Sequence, residues 1–564
     1  MDLMAAFEQA ALAVSRWQLD AAESLLRGIL DDHPQAAPRA LTELAVALSL
    51  QGRGDEALQT ISRAVALAPL DATIRQNQLI LEKLREPEEP DQFVALHRDW
   101  GNTFTPAGGC LHLGVPPQTH QRLRIAYLGV DAHTALQRFI PLLAEHHDTQ
   151  KFDVLFCHGL ADADRLAEAR RRWPQIRHLG NRDLSARQFA RTLAQHEIDI
   201  AIDLSGHGHG GTLQALAYRP APVQMTWLDY VATTGVPAIG YRIADAVTDP
   251  DDGCSTEQVL RLPFAQWCAT APKRSETSSG RNRPDTPVIG LINVTVKLSP
   301  RLLALATALL QQHDQARLMV LGLTGEASRR HLLAHVPESL HSRLDLHDRV
   351  DEAQYHALVA QVDLAIDPTV FSGATSTLDA LDAGIPVLTI PGRLPHTRST
   401  ASILDTLGLS QWIARDDADL LAIAAALLRD PAAIQAARTT LRDRLRQSTL
   451  ADGRRFTAAL EELYSEVWSK QTPAEPSAAR STLLVRQVND GIAAQTPQQV
   501  IYALEALTLF QTPPKLQRTL ALAYNQLGVQ WLKRGGRFEA RRQFDMALEV
   551  LPELEEARHN LALC

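Results

Sequence analysis

The 564 residues predict an α/β core of two Rossmann-like halves, flanked at both ends by α-helical repeats. Three observations carry that expectation. Short apolar, β-rich runs alternate with helical patterns between about residues 122 and 391, as parallel strands with crossover helices do. A polar stretch, APKRSETSSGRNRPDTP (271–287), divides the alternating region in two. Segments near both chain ends repeat a spacing of alanine and proline that suits pairs of antiparallel helices.

The N-terminal repeats come first along the chain. In AAESLLRGILDDHP (21–34) and DEALQTISRAVALAP (55–69), Ala22 and Ala57 are 35 residues apart, as are Pro34 and Pro69. Small residues at Ala10, Ala22, Ala45 and Ala57 let two helices approach, and proline ends the second helix of each unit. The same measure returns in YNQLGVQWLKRGGRFEARRQFDMALEVLP (524–552). There Tyr524, Leu527, Gly528, Trp531, Ala540, Phe544, Ala547 and Pro552 resemble one tetratricopeptide repeat, with a generic helical hairpin as the plainer reading.

The first half of the core reads as strands RLRIAYLGV (122–130), FDVLFCHG (152–159), IDIAIDLSG (198–206) and VQMTWLDY (223–230), with helical patterns between the first three. The second half reads as strands at 288–293, 316–323, 343–347, 362–367 and 386–391, with helices near 299–312, 325–335, 351–361 and 375–383. Helices at about 400–470 close the unit, and SKQTPAEPSAARS (469–481) is a polar link to the last repeat.

Bulk properties exclude several functions. A net charge of −9 gives no general electrostatic grip on nucleic acid. No apolar run reaches the ~18 residues of a membrane helix, and the first twenty residues do not read as a signal peptide. Five cysteines without CxxC spacing argue against structural zinc and a disulfide framework, and suit a reducing cytoplasm.

The chemistry concentrates where strands end. After the apolar run 362–366 come Gly373, Thr375, Ser376, Thr377 and then a helical pattern carrying Asp379. A helix start exposes unpaired N–H groups and a positive dipole end, and small residues let a phosphate approach them. Asp379, one turn in, could accept hydrogen bonds from a ribose. Simple capping by Ser and Thr is the alternative use of such residues. Lys297, after the first strand of the second half, lies where such sheets bind ligands and reads as a diphosphate clamp or as a solvated surface lysine. In the first half, Gly206-His207-Gly208-His209-Gly210-Gly211 ends a strand, and His133 follows the first strand in the same manner. His207 and His209 read as a polar cleft wall; His-x-His also occurs in metal sites, but no carboxylate or third His stands at a supporting spacing. A neutral imidazole at His133 could accept a proton or hydrogen-bond a hydroxyl, with a structural role as the plainer reading.

The segments 203–245, 288–300 and 362–392 together resemble the catalytic region of the O-linked N-acetylglucosamine transferase family, glycosyltransferase family 41, in its SPINDLY-like bacterial branch. The resemblance rests on Asp203-Leu-Ser-Gly-His207, Arg219-Pro-Ala-Pro-Val-Gln224, Trp227, Thr233-Thr-Gly235, Pro237, Tyr241 and Asp245, with Ser372-Gly-Ala-Thr-Ser-Thr377, Asp379-Ala-Leu381 and Gly384-Ile-Pro386. The tail 441–468 adds to it, and coverage runs from about 120 to 470.

The resemblance implies a GT-B fold whose second lobe holds a nucleotide-sugar, inversion at the anomeric carbon, and no metal or other cofactor. The usual donor of the family is UDP-N-acetylglucosamine and the acceptor a Ser or Thr hydroxyl of a protein, which the repeats could hold. Lys297 matches the family's diphosphate-contacting lysine, Thr375 and Ser376 its phosphate-binding hydroxyl pair, and Asp379 its ribose-holding acid. Asn293, Tyr355 and Gly373 complete the expected donor site. His207 and His133 match acceptor-side histidines, expected with Lys297 to serve catalysis. Tyr355 stands where relatives often carry histidine beside uracil. Two other readings remain open: a cytoplasmic N-glycosyltransferase using UDP-glucose on asparagine, and a non-catalytic repeat scaffold with a decayed core. The expected layout is repeats over 1–85, a connector over 86–119, a first lobe over 120–270, a linker over 271–287, a nucleotide-sugar lobe over 288–470, a linker over 471–495 and a repeat segment over 496–564, with no membrane span.

Overall fold

The computed structural model describes residues 3–104, 121–131, 134–208, 210–270, 286–471, 485–486, 488–494, 497–508, 514–534 and 536–564. Two all-parallel sheets form the centre of the molecule. The first has seven strands in the order β3-β2-β1-β4-β5-β6-β7. They are β1 (Leu123–Leu128), β2 (Phe152–His158), β3 (Arg177–Gly180), β4 (Ile200–Asp203), β5 (Val223–Thr226), β6 (Tyr241–Asp245) and β7 (Gln258–Leu262). The second has five in the order β10-β9-β8-β11-β12, with β8 (Val288–Leu291), β9 (Arg317–Leu323), β10 (Leu344–Asp348), β11 (Leu364–Ile366) and β12 (Val387–Leu388).

Both orders turn back on themselves, between β1 and β4 in the first lobe and between β8 and β11 in the second. At such switch points the loops diverge, and the crevice they leave lies at the carboxyl ends of the strands. The central strands are buried on both faces: every residue of β4, β5, β8, β11 and β12 is buried, which is why their sequences are largely apolar. Three strands escaped the sequence reading, β3, β6 and β7. β3 is half-buried throughout and β7 alternates with exposed polar residues.

Five helices, Leu3–Ser15, Leu19–Asp32, Ala37–Leu50, Gly54–Leu67 and Ala72–Glu82, build the N-terminal repeats. Ala10, Ala22, Ala45 and Ala57 are all fully buried where the helices meet. In the C-terminal repeat, a Cβ on Gly528 would stand 2.4 Å from the Phe544 ring, so glycine is what lets helices Pro514–Lys533 and Arg537–Val550 close. Helix Arg537–Val550 touches the turn 34–36, and helix Pro497–Thr508 touches helix Pro90–Phe104, so both chain ends share one helical layer.

The stretch expected as a connector over 86–119 instead carries helix Pro90–Phe104. Its Phe93, Val94, His97, Trp100, Gly101 and Phe104 are buried. Gly101 meets Gly235 so closely that a Cβ on Gly101 would lie 1.7 Å from Gly235 O, and one on Gly235 2.0 Å from His97 O. This helix is therefore part of the first lobe's wall. Residues 105–119, like most of the expected inter-lobe linker, lie outside the described residues, and the expected linker at 471–495 carries helical residues at 488–493.

The last core helix, Gly453–Ser469, crosses back to the first lobe. Tyr464 Oη lies 3.1 Å from Tyr127 Oη, Glu461 accepts from the main-chain N–H of Asp148 at 2.7 Å, and Phe456 stacks on Trp227 at 5.8 Å between centroids. The two parallel lobes are the expected architecture, and the helices expected at about 400–470 close the unit by this return. Among the described residues, no single helix is long and apolar enough to cross a membrane.

Candidate active site

One aspartate organises the loop after β11. Asp367 is buried, and its carboxylate accepts from Gly373 N and Ser372 Oγ at 2.7 Å and from Thr389 Oγ1 at 2.8 Å. Ser372 Oγ in turn accepts from Thr400 N at 2.8 Å. Burial raises the Asp367 carboxyl above its ordinary range, against the pull of these donors and of Lys297. The loop is thus held from below, and it leads into helix Thr375–Asp382. Gly373 is required here, since a Cβ would fall 2.7 Å from Ser376 Oγ and 2.8 Å from Thr377 Oγ1. Thr377 is buried and spent on Thr400 at 2.7 Å, whereas Thr375 and Ser376 are only half-buried.

The first lobe repeats the device. Asp203, at the end of β4, accepts from Gly206 N at 2.7 Å, Thr212 Oγ1 at 2.8 Å and Thr226 Oγ1 at 3.0 Å. Each lobe therefore uses a buried aspartate after its fourth strand to shape a glycine-containing loop at the crevice.

The structure brings most of the expected donor residues together. Asn293, at the end of β8, accepts from Ser376 Oγ at 2.9 Å. Lys297, in the short helix Thr295–Lys297, donates to Ser372 O at 3.2 Å, so its ammonium reaches the start of the hydroxyl-rich turn. It also lies 4.1 Å from the centre of the Phe371 ring. Burial pushes the Lys297 amine down to about 8, while Asp367 and Asp229 favour its charged form. Tyr355 is half-buried on helix Glu352–Val359, which packs beside helix Thr375–Asp382.

Asp379 is buried and already engaged. Its Oδ1 accepts from Arg138 Nη1 at 2.6 Å, and the same guanidinium reaches Thr375 O at 3.4 Å. Arg138 comes from the first lobe, so the ion pair bridges the crevice. Any ribose held by Asp379 shares that carboxylate with Arg138.

His207 is placed away from solvent. Its ring is fully buried against Trp100 at 4.6 Å, His97 at 5.2 Å and Tyr230 at 5.3 Å. Nε2 lies 2.7 Å from Thr234 O, and a carbonyl can only accept, so Nε2 carries the hydrogen. Nδ1 then offers a lone pair that meets no hydrogen-bond donor among the described residues. Burial holds this imidazole neutral, well below its ordinary pKa. His133 and His209 lie outside the described residues.

Several site features escaped the sequence reading. Lys83 follows helix Ala72–Glu82 and enters the crevice from the N-terminal helices. It is 7% exposed, donates to Tyr230 O at 3.1 Å, and lies 4.1 Å from the centre of the same Phe371 ring that Lys297 covers. Burial pushes its amine down to about 7; Asp229 opposes that shift and Lys297 adds to it. Around it stand His97, Tyr230, Phe93, Leu394 and His396, a buried cluster joining the helical segment to both lobes. Leu228 and Val231, on either side of Asp229 and Tyr230, hold φ of 84° and 48°. For branched side chains this left-handed backbone costs about 1–2 kcal/mol each, and such strain gathers at working sites.

The repeats also touch the loop after β9 and the short helix that carries Lys297. Thr324 Oγ1 donates to Leu50 O at 2.9 Å, and a Cβ on Gly52 would lie 3.2 Å from Thr295. Asp20 accepts from Glu326 N at 3.1 Å and Ala327 N at 3.3 Å, capping the helix that follows β9. The N-terminal helices are therefore seated on the second lobe.

Comparison with known proteins agrees with this architecture. The model of glycosyl transferase family 41 matches residues 113–260 and 282–460, and a tetratricopeptide repeat model matches residues 14–78. The chain is similar to the probable UDP-N-acetylglucosamine–peptide N-acetylglucosaminyltransferase SPINDLY of Eustoma exaltatum subsp. russellianum, at 29% identity over 75% of this chain and 48% of that protein. Its likeness to the protein of the same description from Oryza sativa subsp. japonica is 28% over 76% and 48%. The chain thus spans about half the length of the curated relatives it matches. Among solved structures, a mutant of the Thermobaculum terrenum O-GlcNAc transferase superposes with a TM-score of 0.76 at 26% identity, covering 83% of this chain and 91% of that one. With the family model matching more than half of its residues, the chain belongs to glycosyl transferase family 41.

Proposed function

We propose that this chain transfers a sugar from a nucleotide-sugar to a protein hydroxyl, with UDP-N-acetylglucosamine as donor and Ser or Thr as acceptor. The observation that carries the reading is the placement of Lys297 Nζ at Ser372 O, at the mouth of the turn that leads into Thr375 and Ser376. A diphosphate seated there would meet an ammonium, two half-buried hydroxyls and the unpaired N–H groups of a helix start. Asp379 would take a ribose hydroxyl, and Tyr355, on the neighbouring helix, would line the nucleobase side.

The chemistry follows from where charge develops. As the sugar leaves, negative charge grows on the departing diphosphate. Lys297 and the helix dipole are fixed before the reaction and need no rearrangement to meet that charge. Positive charge from the protein takes the role a metal ion has in other transferases, which supports a metal-independent mechanism. Attack from the face opposite the leaving group inverts the anomeric carbon, and the acceptor hydroxyl needs chiefly to be oriented. In this arrangement His207 shapes the acceptor side; service as a base would require its buried Nδ1 to become reachable. The N-terminal helices, seated on the second lobe, would hold the protein acceptor near the crevice.

The test is a donor screen. The chain is incubated with UDP-N-acetylglucosamine, UDP-glucose or GDP-sugars and a cell lysate, and the modified residue is located by mass spectrometry. Transfer of N-acetylhexosamine to Ser or Thr is the expected result. Transfer of hexose to asparagine, or no transfer and no UDP release with any donor, would overturn it.

A further inference from the structure

Lys83 belongs to none of the stretches that family models match, which end at residue 78 and resume at 113. Its side chain nevertheless ends in the crevice. Lys83 and Lys297 each lie 4.1 Å from the centre of one phenyl ring, that of Phe371, so their ammonium groups are no more than twice that distance apart. Each ammonium has three N–H donors, and among the described residues each uses one, on a main-chain carbonyl: Tyr230 O for Lys83 and Ser372 O for Lys297. Asp229 attracts both through space, and Asp367 attracts Lys297.

Two cations held this close, out of water and with donors to spare, form an arrangement that a multiply charged anion completes. Lys83 is buried, and its ammonium faces the rings of Tyr230 and Phe371, at 4.2 and 4.1 Å from their centres, rather than solvent. The depressed amine of Lys83 agrees with a cation awaiting a counter-charge.

We propose that Lys83 is a second cation of the diphosphate pocket, supplied by the helical segment that precedes the catalytic lobes. The proposal rests on the donor reading above. It makes that segment part of the donor site, beyond any part in holding acceptors.

The test uses the full chain titrated calorimetrically with UDP and, separately, with uridine, in the wild-type protein and in Lys83→Met and Lys83→Arg. Lys83→Met is expected to weaken UDP by about 10-fold or more, the worth of one charge-assisted hydrogen bond, and to change uridine less than about 2-fold. Lys83→Arg should recover most of the UDP affinity. UDP binding by Lys83→Met at wild-type strength would overturn the proposal, and so would an equal loss for uridine, since that marks a purely structural role. A second measurement titrates inorganic pyrophosphate into the same proteins: Lys83→Met should lose affinity for it as for UDP, and pyrophosphate binding at wild-type strength in that variant would overturn the proposal. If the wild-type chain binds neither compound, the donor reading itself falls, and this proposal with it.

Discussion

Replacement of Lys297 by methionine removes one charge and little volume, and leaves an aliphatic stem to pack on Phe371. The loss can be sized from the surroundings of the ammonium. A unit charge about 3 Å from a phosphate oxygen, at an effective dielectric of about 20, is worth about 5–6 kcal/mol. About half of that is differential, because roughly half a unit of additional charge reaches the diphosphate in the transition state, giving about 3 kcal/mol and a fall in kcat of about 10²-fold. The remaining ground-state attraction is offset by water, so donor KM should rise about 10-fold. The assay is UDP release and sugar transfer at saturating donor, beside thermal unfolding of the same preparation. Burial disfavours the lysine's charged form, so methionine should leave Tm level or higher at neutral pH. A variant that folds and keeps more than about a third of wild-type kcat would refute the electrostatic account, because no group of that charge and placement could be so nearly neutral to the rate.

Other consequences are equally direct. Asp379→Asn should weaken both UDP and uridine by about 10-fold, because ribose loses a charged acceptor, while binding of inorganic pyrophosphate changes little; calorimetry with the three ligands checks this. Gly235→Ala should destabilise the fold by about 3 kcal/mol or more, since its Cβ would lie 2.0 Å from His97 O at a φ of +71°; chemical denaturation reads the loss, and proteolysis should open the chain near helix Pro90–Phe104. UDP affinity should fall as pH rises through 7 to 8, the values to which burial pushes Lys83 and Lys297, because the free protein loses the charges that the diphosphate requires; uridine affinity should stay flat over that window.

Much of the architecture was legible because physics writes it locally. The central strands of the second lobe, β8, β11 and β12, are buried throughout, and they, β9, the half-buried edge strand β10 and the helices between them appear in the sequence as apolar runs and 3.6-residue patterns, placed within a few residues of their observed ends. β3, an edge strand of Arg-His-Leu-Gly, has neither β-branched residues nor a buried face to announce it. Helix Pro90–Phe104 did carry a signal. Phe93, Val94, His97, Trp100, Gly101 and Phe104 fall at helical spacing, and the proline at its start suits a first turn.

The site divides in the same way. Lys297, Asn293, Gly373, Thr375 and Ser376 are readable because each stands at the carboxyl end of a strand, where the topology alone assigns a role. The Arg138–Asp379 pair and the Lys83 contact with Tyr230 join residues 241 and 147 positions apart, and nothing in either local sequence indicates its partner. Burial of His207 was equally hidden, since the helix that covers it lies more than 100 residues earlier in the chain. Asp203 and Asp367 were visible as residues, but their shared task of tying down a glycine-containing loop emerges only from the hydrogen bonds they accept.

The central claim is that Lys297 and the turn at 372–377 together grip a diphosphate. A crystal structure of the chain soaked with UDP tests it most directly. The account predicts phosphate oxygens about 3 Å from Lys297 Nζ and from the N–H groups of Thr375 to Thr377, at ordinary hydrogen-bond distances. Clear UDP density elsewhere, with that turn empty, would contradict it.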